Sequence, residues 1–211
     1  MKYAVFIYEG VEPIDIGAAF GVLSMAKRVE PSIDTFALAK LPGIVECANG
    51  LKVTADFGFD DCPAFDALIV TGGPGWPDVA KDPSTKQFLA SISAPAKIAA
   101  ICTGGMILAE AGLLDGRAAT TKSEVIGEER SPLELMAGYS GVEAKKAVAV
   151  YSDSVLTSGG VTLGIDGIFY LLRLLQGEQV ARETARIMEY ERALVANAKA
   201  LPPVNLPPFV A

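Results

Sequence analysis

The sequence predicts an α/β fold with a mostly parallel central sheet and helices on both faces. Two observations predict it. Short apolar runs alternate along the chain with longer segments of helical periodicity, and 51% of the 211 residues are hydrophobic, enough for a sizeable core. Strands that alternate with helices pair in parallel, because a helix carries the chain back across the sheet. There is no internal repeat, low-complexity linker or break in composition, so we expect one domain over residues 1–211.

The first third of the chain predicts two strands, a helix and a hairpin. Tyr3–Tyr8 is an apolar run typical of a buried strand, and Ile14–Lys27 carries apolar residues at helical spacing on one face. Ile33–Ala39 predicts the second strand. Ile44–Val53 places an Asn-Gly dipeptide between short apolar flanks, which predicts a hairpin.

The middle of the chain predicts two further core strands, each followed by a turn and a helix. Ala67–Thr71 is a short apolar strand that runs directly into Gly-Gly-Pro-Gly. Pro83–Ser93 predicts a helix, with Asp82 as its N-cap and proline in its first turn. Lys97–Ile101 predicts a strand, and a helix is expected to begin at Cys102 and to end near residue 110.

The last third predicts two strands, two helices and an extended segment. The strands are Val148–Tyr151 and Val155–Thr157, on either side of a Ser-Asp-Ser turn. Thr162–Leu175 predicts a largely apolar helix, and Glu178–Ala198 an amphipathic one. Residues 201–211 are rich in proline, as in polyproline segments that bind partners, but we expect them to pack on the chain's own fold.

The composition excludes several classes of protein. A net charge of −7 provides no basic surface for nucleic acid or for an anionic membrane. Three cysteines and no histidine exclude a disulfide scaffold and any Cys-His or Ser-His catalytic pair, and they argue against a zinc site. The sequence has neither a secretory leader nor an apolar stretch of about 18 residues, so we expect a cytoplasmic protein without a metal or cofactor.

Three segments follow predicted strands, at the edge where open parallel sheets place their sites. They contain Asp15, the pair Gly72-Gly73, and Cys102. Cys102 carries the strongest prediction, because a cysteine between a strand and a helix, flanked by small residues, fits a nucleophile elbow. The amides at the helix start would then lower the pKa of the thiol. A buried core cysteine is the alternative, and local spacing does not decide between the two.

The other two segments allow a functional and a structural interpretation. Gly72 and Gly73 lack the lysine of a phosphate loop, so their functional role would be to donate backbone N–H groups to an oxyanion, and the alternative is a plain turn. Asp15 becomes functional only if the first and central strands are neighbours. A helix N-cap or a solvated carboxylate is the alternative.

Taken together, the motifs resemble the ThiJ/PfpI superfamily, whose members are flavodoxin-like (Rossmann-like) and class I glutamine amidotransferase-like. The resemblance covers nearly the whole chain. It rests on Val-Thr-Gly-Gly-Pro-Gly at 70–75, Ile-Cys-Thr-Gly-Gly at 101–105, Leu-Ala-Glu-Ala-Gly-Leu-Leu-Asp-Gly-Arg-Ala-Ala-Thr-Thr at 108–121 and Leu-Thr-Ser-Gly-Gly-Val-Thr-Leu-Gly-Ile-Asp at 156–166. The last two blocks are similar to the isocyanide hydratases and to the sensor domains of AraC-type regulators.

The resemblance implies roles for seven residues. Cys102 matches the nucleophile of the hydratases, and Asp15 their acid/base carboxylate. Five positions match the surroundings of the substrate: Thr103, Gly72, Gly73, Gly160 and Val161.

Two departures from the pattern concern the pocket. Lys122 stands where that branch commonly has histidine, and Gly17-Ala18-Ala19 replaces a Thr-Gly-Pro segment. We expect Lys122 to be dispensable for isocyanide turnover, because the segment that carries it is equally well explained as a solvated loop.

The implied activity is that of an isocyanide hydratase-like lyase. The Cys102 thiolate would attack the isocyanide carbon and a protonated Asp15 would supply a proton, so that no histidine is needed. The resemblance further implies a homodimer that binds a small-molecule substrate and no nucleic acid or membrane. The alternative is a non-enzymatic redox or small-molecule sensor, or a stress-response protein, in which Cys102 is an oxidisable thiol.

Overall fold

The centre of the molecule is a six-stranded sheet whose inner strands are buried on both faces. The computed structural model describes residues 1–92 and 97–210. Within these ranges the strands are β1 Lys2–Phe6, β2 Asp34–Leu38, β3 Gly43–Glu46, β4 Lys52–Ala55, β5 Ala67–Val70, β6 Lys97–Ala100, β7 Ala118–Ala119, β8 Glu143–Ala144, β9 Ala149–Ser152 and β10 Val155–Ser158.

The strand order of this sheet confirms the predicted fold class. The order is β2-β1-β5-β6-β10-β9, and every pair is parallel except β10 with β9. Counted along the chain, the parallel strands lie in the order 2-1-3-4-5, which is the flavodoxin-like arrangement. β3 and β4 form the predicted antiparallel hairpin beside this sheet, and β7 pairs with β8.

Helices cover both faces of the sheet, as predicted. The helices are α1 Pro13–Val29, α2 Trp76–Lys81, α3 Pro83–Ser91, α4 Gly104–Glu110, α5 Pro132–Met136, α6 Leu163–Gln176, α7 Glu178–Ile187 and α8 Glu191–Ala200. One layer contains α1, α6 and α7, and the other contains α2, α3 and α4. Both faces of the inner strands are therefore apolar, which explains why their sequences are continuous apolar runs and not alternating ones.

Most of the predicted elements agree with the structure within a few residues. The Asp82 side chain caps α3 by accepting from the Thr85 N–H at 2.9 Å, as predicted. The expected end of that helix at Ser93 lies outside the described residues. Two short helices, α2 and α5, were not predicted, since each is about one and a half turns long and leaves little periodicity in the sequence.

The prediction of one helix over Glu178–Ala198 is wrong. The segment forms α7 and α8, which are separated at Glu189, where φ is 56°. A left-handed residue cannot continue a right-handed helix. The side chain of Tyr190, which follows, donates a hydrogen bond to Asp166 of α6.

Residues 201–210 pack on the rest of the fold, as predicted. Val204 bridges to Val150 of β9, and the Tyr151 N–H donates to the Val204 carbonyl at 3.1 Å. Phe209 is buried, and its ring lies 5.0 Å from that of Tyr170. Ala211 lies outside the described residues.

None of the helices in the described ranges combines the length and the apolar character that crossing a membrane requires.

Candidate active site

The carboxyl edge of the sheet brings the three predicted segments together. β1, β5 and β6 are neighbouring parallel strands, so the residues that follow them lie side by side. Asp15 is in the first turn of α1, Gly72 follows β5, and Cys102 follows β6. The backbone N–H of Gly72 donates to Oδ2 of Asp15 at 2.7 Å. Asp15 and Cys102 are close enough to shift each other's pKa.

Cys102 lies on a tight turn between β6 and α4, with φ of 53°. Residues other than glycine seldom adopt this conformation, and those that do cluster at functional sites. The turn packs closely on β5: a Cβ at Gly104 would lie 2.2 Å from the Val70 carbonyl oxygen. The Thr121 hydroxyl donates to the Cys102 carbonyl at 2.7 Å and holds the turn from the other side. This is the backbone geometry of a nucleophile elbow.

The thiol of Cys102 is protonated at neutral pH. Only 3% of the residue is exposed, and burial, together with the charge of Asp15, raises the pKa of the thiol to about 12. The N–H of Thr103 and the charge of Lys122 act in the opposite direction but are outweighed. The prediction of a thiolate held by the helix start is therefore wrong, because burial has the larger effect and α4 begins only at Gly104.

Asp15 is a fully buried carboxyl group and not a cap or a solvated side chain. The N-cap of α1 is Glu12, and Asp15 has no exposed surface. Burial raises its pKa to about 7, while the hydrogen bond from Gly72 and the interaction with Cys102 limit the rise. Its Oδ1 atom has no hydrogen-bond partner in the described part of the chain. One oxygen is thus fixed by the backbone and the other is available for a further contact.

The backbone amides of Gly72 and Gly73 are both engaged within the protein. Gly72 donates to Asp15, and Gly73 donates to the Oγ1 of Thr103 at 2.8 Å. The prediction that these amides form an oxyanion hole is wrong, because each N–H group has one hydrogen to donate and already has an acceptor. A Cβ at Gly72 would lie 2.4 Å from the Thr103 nitrogen, so the turn also needs glycine for this close approach.

Gly160 and Val161 lie on the opposite side of the cysteine. A Cβ at Gly160 would be 2.6 Å from the Cys102 Sγ and 3.0 Å from the Lys122 Cβ. The backbone of Gly160 therefore covers the sulfur directly. The backbone N–H of Cys102 donates to the Gly159 carbonyl at 3.3 Å and joins the two loops.

A cavity of about 380 Å³ opens above Cys102. Gly73, Cys102 and Thr103 form its innermost part. Its walls are mainly apolar and consist of Pro74, Trp76, Val125, Pro132, Leu135 and Val161. Four charged residues also line it: Glu12, Lys122, Glu129 and Arg130. The volume suits a small organic molecule whose one end reaches the sulfur.

The segment that carries Lys122 is not a solvated loop, contrary to expectation. Thr120 and Thr121 are buried, and Lys122 lines the cavity beside Cys102. The sequence contained one local signal for this burial, since Thr120 and Thr121 directly follow the apolar pair that forms β7.

Tyr8 and Trp76 belong to the site and were not predicted from the sequence. The Tyr8 hydroxyl donates to the Thr71 carbonyl at 3.1 Å. Burial, with the charges of Asp15 and Cys102, raises the pKa of Tyr8 well above its usual value. Trp76 begins the short helix α2 and contributes to the cavity wall. Only the position of each residue, just after a core strand or its turn, could have indicated such a role.

Within residues 1–92 and 97–210, no group of three or more His, Cys, Asp or Glu side chains is arranged to hold a metal ion.

Comparison with known proteins places the chain among related sequences and structures. It is 28% identical to an isonitrile hydratase of Pseudomonas putida over 92% of this chain and 80% of that protein. It is also 28% identical to the HTH-type transcriptional regulator GbdR of Pseudomonas aeruginosa, over 82% of this chain and 48% of the regulator. The crystal structure of a ThiJ/PfpI family protein from Pseudomonas syringae superposes with a TM-score of 0.78, at 26% identity, over 90% of this chain and 74% of that one.

These relatives share a fold and not a single activity, since one is a hydratase and another a regulator. The sequence profile of the DJ-1/PfpI family matches residues 1–173. The chain therefore belongs to the DJ-1/PfpI family.

Proposed function

We propose that the protein adds water to isocyanides and forms N-substituted formamides, with Cys102 as nucleophile and Asp15 as proton carrier. The observation that carries this proposal is the buried Asp15–Cys102 pair, whose pKa values are about 7 and about 12. Near neutral pH the sulfur keeps its proton beside a carboxyl group that is half ionised. Such a pair can move a proton without histidine, and the chain has none.

In the first half of the reaction the thiol adds across the terminal carbon of R–N≡C. The Asp15 carboxylate takes the thiol proton while the sulfur forms its bond to that carbon. Asp15 then gives the proton to the same carbon, which yields the thioimidate R–N=CH–S–Cys102. No other donor is required, because the carbon gains one proton and the sulfur loses one.

In the second half, water adds to the thioimidate carbon. Asp15 takes a proton from the water and passes it to the nitrogen, which gives R–NH–CH(OH)–S–Cys102. The C–S bond then breaks, the hydroxyl proton goes to the sulfur, and R–NH–CHO leaves with the thiol restored. The sum is R–N≡C + H₂O → R–NH–CHO.

The surrounding residues fall into two groups. We assign substrate contacts to Gly73, Thr103 and Val161, which line the cavity. Gly72 and Gly160 were also expected to bind substrate, but we assign them positioning roles: Gly72 fixes one oxygen of Asp15, and Gly160 covers the sulfur.

Formation of the formamide from benzyl isocyanide, followed by liquid chromatography and mass spectrometry, tests the proposal. We expect turnover by the wild type, none by Cys102→Ala, and a fall in kcat of about 100-fold in Asp15→Asn, which cannot transfer the proton. Cys62→Ala removes a half-buried thiol that follows β4 and is the matched control, with wild-type rates expected. Turnover that survives in Cys102→Ala would refute the mechanism.

A cysteine-based sensor is the second candidate, supported by the similarity to GbdR. The raised pKa of Cys102 argues against a redox version of it, because peroxides react with the thiolate and not with the thiol. A thiol that peroxide oxidises within seconds at neutral pH, in a protein without isocyanide turnover, would favour the sensor.

We also propose that the protein is a cytoplasmic homodimer. Its three cysteines are free, as in a reducing compartment, and large apolar side chains are exposed at Leu41, Ile44 and Leu51 on and beside the β3–β4 hairpin. Light scattering at micromolar concentration should give about twice the 22.0 kDa chain mass. A mass of one chain would contradict this.

A further inference from the structure

The side chains of Lys122 and Arg130 both line the cavity above Cys102. Hydrogen bonds at the two ends of the loop that carries them hold this loop in place. The carbonyl of Lys122 accepts a hydrogen bond from the Leu133 N–H at 3.0 Å. Ser131 caps α5, and a reciprocal pair of hydrogen bonds with Glu134 fixes its position. Arg130 directly precedes that cap. Lys122 and Arg130 therefore both line the cavity, although they are eight positions apart in sequence.

Neither cation is neutralised by a carboxylate in the described part of the chain. Of the 18 Lys and Arg residues, ten have a carboxylate oxygen within 4.0 Å, and Lys122 and Arg130 are not among them. Lys122 donates instead to the backbone carbonyl of Glu124, which leaves its charge in place. The carboxylate of Glu124 pairs with Lys146 at 2.8 Å. Both cations of this cavity are thus without an ion-pair partner in the described structure, in a protein whose net charge is −7.

Two carboxylates, those of Glu12 and Glu129, also line the cavity. Glu12 is the N-cap of α1 and is close enough to Asp15 to raise its pKa. Glu129 and Arg130 are adjacent and both exposed, and no cation within the described ranges is within 4.0 Å of the Glu129 carboxylate. The side chain of Lys122 begins beside the sulfur. A Cβ built at Gly160 would lie 3.0 Å from the Lys122 Cβ and 2.6 Å from the Cys102 Sγ.

We infer that the substrate is an isocyanide that also carries a carboxylate, joined to the isocyano group by a short apolar spacer. This inference rests on the proposed function. Lys122 and Arg130 bind the carboxylate, since a guanidinium and an ammonium group together match its two oxygens. The spacer contacts the apolar wall at Trp76 and Val161, and the isocyano carbon faces Cys102. The carboxylate is unchanged in the reaction, and the product is an N-formyl amino acid.

The experiment compares two substrates of nearly the same size, 3-isocyanopropanoate and its methyl ester. In the wild type, kcat/KM for the carboxylate should exceed that for the ester about tenfold or more, as expected for charge-assisted hydrogen bonds. In Lys122→Met and Arg130→Met this ratio should fall towards one. The ratio is measured within each variant, so a general loss of folded protein cancels.

Arg192→Met and Lys199→Met are the matched controls. Both residues lie on α8, away from the Cys102 cavity, and also have no carboxylate within 4.0 Å in the described structure. They should keep the wild-type ratio, which separates binding in the cavity from a change in overall charge.

The outcomes distinguish the inference from the proposed function. If the wild type hydrates the ester as well as or better than the carboxylate, the substrate class is wrong while the isocyanide activity stands. If it hydrates benzyl isocyanide but neither of these two compounds, the substrate class is wrong while the isocyanide activity again stands. If it hydrates none of the three, the proposed function is wrong, and the substrate class is refuted with it. A ratio that the Lys122 and Arg130 variants leave unchanged also refutes the inference.

Discussion

A Cβ atom at Gly160 would lie 2.6 Å from the Sγ of Cys102, well inside van der Waals contact. The backbone before α6 is therefore one wall of the space around the sulfur, and Lys122 forms the adjoining wall. Any side chain at position 160 must displace the thiol or the loop.

We predict that Gly160→Ala lowers kcat/KM for benzyl isocyanide about 100-fold, because a shift of about 1 Å misaligns the sulfur with Asp15 and the substrate. Circular dichroism should show the fold intact. Gly21→Ala is the control: its Cβ would meet no atom within 4 Å, so activity should be unchanged. Wild-type activity in Gly160→Ala would contradict this prediction, because it would show that the loop accommodates the added methyl group without misaligning the sulfur.

The pH dependence of kcat/KM should follow Asp15. The reactive pair carries one proton, on the sulfur, with the carboxylate free to accept it. Below pH 7 the carboxylate becomes protonated, since its pKa is about 7, and kcat/KM should fall about tenfold per pH unit. Above pH 7 it should level off, because the thiol keeps its proton up to about pH 12. Benzyl isocyanide does not titrate in this range, so the profile between pH 5 and 9 reports the enzyme. A rise that continues to pH 9 would assign the limiting ionisation to another group.

The ionisation of Asp15 should destabilise the protein as pH rises from about 4 to about 7. The pKa of Asp15 is about 7 in the folded protein and 3.8 without burial, so folding favours the protonated form. Its contribution is fully present below pH 4 and is lost as the pH rises through 7, at a cost of up to about 4 kcal/mol.

Asp15→Asn tests this sign. Urea unfolding at pH 4.5 and pH 8 should show a smaller loss for the variant, whose amide can still accept from Gly72 but cannot ionise. Asp166, whose pKa burial raises to about 6, accounts for part of the loss that remains. Equal losses in the two proteins would mean that Asp15 ionises normally in the folded state.

The hydroxyl of Tyr190 should stabilise the protein more at high pH than at low pH. It donates to Oδ2 of the buried Asp166 at 2.9 Å, while its ring stacks on Phe169. Tyr190→Phe keeps the ring and should lower the free energy of unfolding by about 1–2 kcal/mol at pH 8, where Asp166 is ionised. At pH 5 the loss should be smaller.

Tyr139→Phe is the control for this pair. Its hydroxyl donates to Glu110, which is partly exposed and pairs with Lys86, so the loss should be small at both pH values. If Tyr190→Phe lowers the free energy of unfolding equally at pH 5 and pH 8, the ionisation of Asp166 does not strengthen its hydrogen bond with Tyr190.

Local sequence was sufficient to predict the sheet and to place Asp15, Gly72 and Cys102 at its carboxyl edge. A continuous apolar run that glycines follow, such as Ala67–Thr71, predicts a buried strand. Because such strands alternate with helices they pair in parallel, so their carboxyl ends lie at the same edge of the sheet. The pairing of β1 with β5 met the condition on which a functional role for Asp15 depended.

The errors share one physical cause, since each depends on contacts between distant segments. The break at Glu189 has no glycine or proline to mark it, and the Tyr190–Asp166 hydrogen bond forms across 24 residues. The pKa of Cys102 depends on how deeply the fold buries it. The amides of Gly72 and Gly73 find acceptors on α1 and after β6, which no local pattern shows.

The packing of residues 201–210 against β9 has a consequence for the behaviour of the protein in solution. β9 is the last strand of the sheet, and its outer N–H and C=O groups would otherwise be free to pair with another chain. Leu201 and Val204 accept hydrogen bonds from Val148 and Tyr151, and Val204 donates to Ala149. Proline residues interrupt this segment, so it cannot itself act as a template for a further strand. The segment thus blocks edge-to-edge association, and a protein that lacks it should precipitate at concentrations at which the full chain remains dispersed.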